Sequence, residues 1–351
     1  MTQAATHNIF SETRRPDEQW LARAKPEAPI DPALPIVDPH MHLWHHKSGY
    51  RYFVEELAQD VADSGHNVEA TVYIECSAMY RADGPEHLKS LGETEFAVGQ
   101  AAIAASGKYT SCRAAAGIVA SVDLRLGEQR VRETLEAHAQ AANGRLRGVR
   151  SRGKWDADPA VRGAVCASGP RPYLDPVFGE GLDVLASMGL SFDASIFHPQ
   201  LPEIAELARA HPAAQIVVIH SGSPVGHSSY AGLEAEVHAT WLAGMKELSR
   251  CPNVSIKLGG LLMCLGKFDF TQIEAPPDSE ELARLWRPYI EPCIELFGAA
   301  RCMVSSNFPV DKAGVPYGTV WNMFKRITAS CSPDEKRMLF AGTARRIYRL
   351  D

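Results

Sequence analysis

No Cys-x-x-Cys pair occurs in this 351-residue sequence, although it holds eight cysteines. Several of them lie in apolar stretches, such as Cys76 after "TVYIE" and Cys302 before "MV". They are therefore expected to be reduced, mostly buried thiols of a cytoplasmic protein rather than a disulfide or zinc framework. No run approaches the ~18 apolar residues of a membrane span, so no membrane partner is expected. The first twenty residues, "MTQAATHNIFSETRRPDEQW", hold no apolar core of a secretory signal. An excess of positive charge is absent too. The formal net charge is −6, which argues against non-specific binding to nucleic acid. Neither an internal repeat nor a low-complexity segment is evident.

What remains is 45% hydrophobic and 22% charged, the balance of a globular protein. Residues 1–33 read as an N-terminal arm, with one short helix in "RRPDEQWLARAK" and a proline-rich stretch after it. From 34 to 351 apolar runs alternate with helical patterns. The runs lie at 34–40, 69–76, 114–121, 146–150, 190–196, 215–220, 253–258 and 302–307. Helices are expected over 127–142, 201–211, 233–250 and 279–298, the last interrupted by prolines. Uninterrupted apolar strands suit a parallel sheet buried on both faces. Eight of them, each followed by a helical segment, predict a (β/α)8 TIM barrel. A doubly wound dinucleotide fold needs a glycine-rich turn after its first strand, and "DPHMHLWHH" offers none. Two long connections, 77–100 and 259–278, are expected either to cover a ligand or to bury a homo-oligomer interface.

In a barrel, chemistry gathers at the C-terminal ends of the strands. "PIVDPHMHLW" ends strand one, and its alternation sets Asp38, His40 and His42 on one face. Two imidazoles side by side can hold a metal or polarise a substrate. Strand two ends in Glu75, with Tyr80 and Arg81 in its loop. Strands three to seven contribute Asp123, Arg150 with Arg152, His198, His220 and Lys257. Strand eight ends in Asn307, four residues before Asp311.

The set "VDPHMHLW", "LRGVR", "FDASIFHPQLPEIAELARAHPAAQIVVIHSGSP" and "CMVSSNFPVDK" resembles the amidohydrolase superfamily. The nearest resemblance is to the group that includes L-fuconolactonase and 2-pyrone-4,6-dicarboxylate lactonase, over roughly residues 33–350. It implies a TIM barrel whose site uses His40, His42, His220 and position 307. The group's aspartate at 307, a general base, is Asn307 here, and an amide cannot take up a proton. Glu75 and Asp311 are the candidate replacements. The implied reaction is the opening of a small, carboxylated lactone by water. Arg150 is expected to hold the carboxylate, with Arg81, Tyr80 and His198 as further substrate contacts. No cofactor is expected to be required. If a metal is present, His40, His42 and His220 would bind one divalent ion, most readily zinc. The alternatives are a metal-dependent decarboxylase of a small aromatic or unsaturated acid, and a non-catalytic ligand-binding barrel.

Overall fold

The apolar runs are strands in a computed structural model that describes residues 13–46, 48–162, 169–266 and 272–350. They are β1 Ile36–Met41, β2 Val68–Ile74, β3 Arg113–Ser121, β4 Leu146–Arg152, β5 Ser191–Ser195, β6 Gln215–Val218, β7 Val254–Leu258 and β8 Cys302–Val304. Each pairs in parallel with the next. The circle closes where Met41 bridges Phe308. There the His42 N–H donates to the Phe308 carbonyl at 2.7 Å, and the Asn307 N–H to the His40 carbonyl at 3.0 Å. The chain is a TIM barrel, as the strand count predicts.

β6 and β8 stop earlier than their apolar runs. The residues beyond β6 and β8 leave the ladder for turns in which His220 and Asn307 take φ values of 53° and 58°. Non-glycine residues seldom adopt this left-handed region, and Asn and His are among those that tolerate it best. The turns lift both side chains off the strands at the mouth of the barrel.

Helices form over Glu128–Ala141, Leu201–Ala210, Glu234–Leu248 and Ser279–Phe297, close to expectation. The last runs unbroken through Pro288 and Pro292. A proline has no N–H, so Pro292 leaves the Pro288 carbonyl without its helical donor. His238 Nε2 lies 3.1 Å from that carbonyl and fills the gap. Four further helices, Val54–Ser64, Leu91–Ala105, Pro176–Ser187 and Tyr317–Ile327, are not anticipated above. The second shortens the expected 77–100 loop, because its alanine- and glycine-rich sequence hides the helical period. In the 259–278 connection, Leu261–Leu265 is a short helix, and 267–271 lie outside the described residues.

The described part of the arm lies against the barrel. Its helix, Glu18–Leu21, is capped by Asp17. Trp20 Nε1 donates to the Ile273 carbonyl at 2.9 Å, and the Ile30 N–H donates to Asn322 Oδ1 at 2.8 Å. The C-terminal residues Ala341, Ala344, Ile347, Tyr348 and Leu350 pack on Val37, Val72, Val119, Val217 and Met303 from the strands. Next to this packing lies a fully buried ion pair, Lys257 Nζ to Asp193 Oδ2 at 2.6 Å, to which Tyr348 adds a hydroxyl bond. Lys257 is thus part of the barrel interior. Seven of the cysteines are free thiols, and Cys166 lies outside the described residues. Among the described residues no helix is long and apolar enough to cross a membrane.

Candidate active site

A cavity of about 580 Å³ opens at the C-terminal ends of the strands. His42 and Trp44 reach it from β1, Cys76 to Met79 from β2, and Arg150, Arg152 and Lys154 from β4. Ser195, His220, Gly260, Met263 and Asn307 complete much of the wall. Among the described residues no aspartate or glutamate lines it.

The three histidines gather at its base. The His40 ring lies 5.1 Å from that of His42 and 4.6 Å from that of His220, between centroids. His40 is fully buried, and neither of its ring nitrogens has a hydrogen-bond partner; His220 Nδ1 has none either. His42 Nδ1 lies 2.8 Å from the Ile74 carbonyl. An acceptor there requires a proton on Nδ1, which leaves Nε2 as a lone pair. All three are neutral imidazoles. Burial, then the charge of Arg150, pulls His42 down to about 3. Burial drives His40 and His220 well below the usual histidine range, with Lys257 the next influence on His40. A Cβ at Gly260 would overlap the His220 ring, so this glycine makes room for it. Among the described residues no group of three or more His, Cys, Asp or Glu side chains is arranged to hold a metal ion.

Asp38 does not join the histidines in the wall. It accepts from the Ser306 N–H and hydroxyl and from the Tyr317 hydroxyl, tying β1 to the segment after β8.

Glu75 is 1% exposed and behind the wall. Arg150 Nε meets its Oε1 at 2.7 Å, and Arg150 Nη2 meets its backbone carbonyl. Arg152 Nε and Nη2 take the two carboxylate oxygens at 3.1 and 3.0 Å. Burial opposes the charge of Glu75, but the two guanidinium groups outweigh it and hold the acid down at about 2. A carboxylate so committed is a poor proton acceptor at neutral pH. Neither Asp123, which pairs with Arg125, nor Asp193 is the acid that Arg150 meets.

Asp311 is fully buried behind Asn307, whose Nδ2 donates to its Oδ1 at 2.8 Å. Its Oδ2 has no partner. Burial pushes Asp311 up to about 8, against the pull of that hydrogen bond, so it is protonated at neutral pH.

Three predicted substrate contacts lie elsewhere. Arg81 turns outward to Glu95, because helix Leu91–Ala105 begins directly behind the loop and offers that acid. Tyr80 is 39% exposed and outside the cavity wall. His198 is buried against Tyr230, its Nδ1 accepting from the Val225 N–H at 3.4 Å. In their place stands Lys154, which the sequence signals after all. In "VRSRGK" Arg150, Arg152 and Lys154 recur at the two-residue period of a strand face. Glu93 has no such signal. It is buried, accepts from the N–H groups of Cys76 and Ala78 at 2.7 and 3.0 Å, and so fixes the β2 loop.

Comparison with known proteins bears out the fold and the family resemblance. The model of the amidohydrolase family matches residues 37–350. The y4mH protein of Sinorhizobium fredii, itself uncharacterized, is 32% identical over 330 residues, 90% of this chain and 99% of that one. An L-fucono-1,5-lactonase of Burkholderia ambifaria is 29% identical over 181 residues, 50% of this chain and 56% of the lactonase. A crystal structure of an amidohydrolase from Burkholderia multivorans, with bound HEPES, superposes with a TM-score of 0.68 at 23% identity. It covers 90% of this chain and 99% of its own. From first strand to C-terminal helix, then, the chain belongs to the amidohydrolase family, and it is a hydrolase.

Proposed function

We propose that the enzyme opens a small, negatively charged lactone by adding water to its ester carbonyl. The observation that carries this reading is the cavity wall, where among the described residues neutral imidazoles and an amide face three cations and no carboxylate. Cations in a confined wall select an anion, and neutral donors suit a carbonyl oxygen that gains charge in the transition state. The resemblance to L-fucono-1,5-lactonases supports the bond type.

His42 is the proton acceptor in this reading, since its Nδ1–H is spent on Ile74 and Nε2 is free to take a proton from water. Burial depresses its basicity most and the charge of Arg150 next, and a substrate anion beside the cations offsets the second of these. His220 and the second amide N–H of Asn307 donate to the carbonyl oxygen. The imidazolium of His42 then returns its proton to the departing alkoxide as the ring opens. Glu75 holds the arginines, and Asp311 holds Asn307.

A second reading adds one divalent ion, zinc first. The buried nitrogens of His40 and His220 favour it, because unpartnered polar groups in the interior are costly. The three rings of His40, His42 and His220 are not arranged to hold an ion as they stand; drawn together they would supply its ligands, and the ion would polarise a carbonyl and acidify a water. With Asn307 in place of an acid, its ligands would all be neutral.

Enzyme purified without chelator and assayed for proton release on a panel of neutral and carboxylated lactones tests the function. Ring opening is expected. Carbon dioxide release from aromatic acids, with no lactone opened, would overturn it. Metal content measured before and after dipicolinate treatment separates the two readings: activity that survives metal removal supports the histidine route, and activity lost and restored by zinc supports the ion.

A further inference from the structure

We infer that Lys154, rather than Arg150 or Arg152, receives the anionic group of the substrate and sets the preference for acidic over neutral lactones. The identity of the ligand as a substrate rests on the hydrolase reading above; the anion site itself rests on the cavity alone.

Among the described residues three cations line the cavity, but two are already engaged. Arg150 and Arg152 turn their forks to Glu75, and between them occupy both of its carboxylate oxygens and its backbone carbonyl. Swinging either one to a ligand strips bonds from a carboxylate that is 1% exposed, and an unpaired buried charge is costly. Lys154 differs. Among the described residues no acid forms an ion pair with it, and its ammonium stands 5.0 Å from the centre of the Phe197 ring, beyond β5. That contact restrains the long side chain and leaves its three N–H donors for a ligand.

Position supports charge. Lys154 and His220 share the cavity wall. An anion on Lys154 therefore lies beside the imidazole that faces the carbonyl. One small ring can place a carboxylate and an ester group that close together. The Arg150–Glu75–Arg152 cluster, by contrast, is a fixed wall that adds long-range attraction.

The test measures binding of glutarate, a non-reacting dicarboxylate, by calorimetry, with the neutral glutaramide as control. Lys154→Met should weaken glutarate roughly ten- to hundredfold, the loss of one charge-assisted contact. Lys154→Arg should recover most of it, and the melting temperature of Lys154→Met should match wild type. In parallel, the kcat/KM ratio for a δ-lactone bearing a carboxylate over its unsubstituted ring should fall by the same factor. Glutarate affinity that survives Lys154→Met but collapses in Arg152→Met would overturn the assignment. So would a Lys154→Met protein that binds normally and melts early, since Lys154 would then serve only Phe197. If glutarate binding depends on Lys154 while neither lactone is opened, the anion site stands and the lactone-opening reading falls.

Discussion

Asn307 stands where the lactonase pattern has an aspartate, and its surroundings define what its amide does. One N–H is donated to Asp311, and the backbone sits in the left-handed region that asparagine and aspartate both accept. Asn307→Asp should therefore fold. Protonated Asp311 can reverse the hydrogen bond and donate to the new carboxylate. The variant gains a proton acceptor in the wall that is stronger than His42, and general-base catalysis is worth roughly 10²–10⁴-fold. Its kcat on a lactone that the wild type opens should rise. A fall would mean that the amide N–H is itself required at the carbonyl. Arg150 shows the opposite lesson. From the sequence it reads as the substrate's partner, and in the folded chain its partner is Glu75.

Among the elements, helix Ser279–Phe297 is the one whose sequence most opposes its structure. Two prolines lie inside it, yet it continues, and at Pro292 a side chain from helix Glu234–Leu248 supplies the missing donor. His238→Ala should cost about 1 kcal/mol, the net worth of a hydrogen bond to an otherwise unpaired carbonyl. In a Pro292→Ala background the helix regains its own N–H at this point, and the same change should cost much less. A double-mutant cycle in urea measures the difference. Equal costs in both backgrounds would remove this explanation of how the helix survives its prolines.

For the whole molecule, buried acids give stability a definite pH dependence. Asp311 is raised to about 8, and Glu93 to about 7 by burial and then by the charge of Glu75. The unfolded chain releases both protons near the ordinary carboxylate range, whereas the folded chain keeps them until pH 7 to 8. At these two acids the folded state thus binds more protons between about pH 5 and pH 8, and their contribution falls as pH rises. The buried histidines, His40, His42 and His220 among them, act oppositely up to the ordinary histidine range, because there the unfolded chain takes up protons that the folded chain does not. Glu75 acts in the opposite sense. Its folded value is depressed to about 2, so its contribution is complete above the unfolded value and is lost only in strong acid. Melting temperatures should accordingly rise from pH 5 until the unfolded histidines have lost their protons, and decline between about pH 7 and pH 8. Asp311→Asn removes one of the two raised acids while keeping an acceptor for Asn307, so its decline should be shallower. Parallel curves for the two proteins would show that Asp311 is ionised in the native state.

The sequence by itself determined the barrel, because a parallel strand buried on both faces must be apolar throughout and eight such runs alternate with helical segments. It also determined that histidines stand at the ends of β1 and β6, since strand alternation and position along the chain fix that without tertiary contacts. Helix Leu91–Ala105 escaped notice because small residues bury against a sheet without forming a distinct apolar stripe. What only the tertiary structure decided is pairing. Glu75 and Arg150 come from different strands, and their register in the sheet makes one the other's partner. Arg81 falls to Glu95 because a helix turns there. Asp311 keeps its proton because the fold closes over it and offers only an amide. Charges find partners by distance in space, and period and composition carry no record of which acid will lie beside which base.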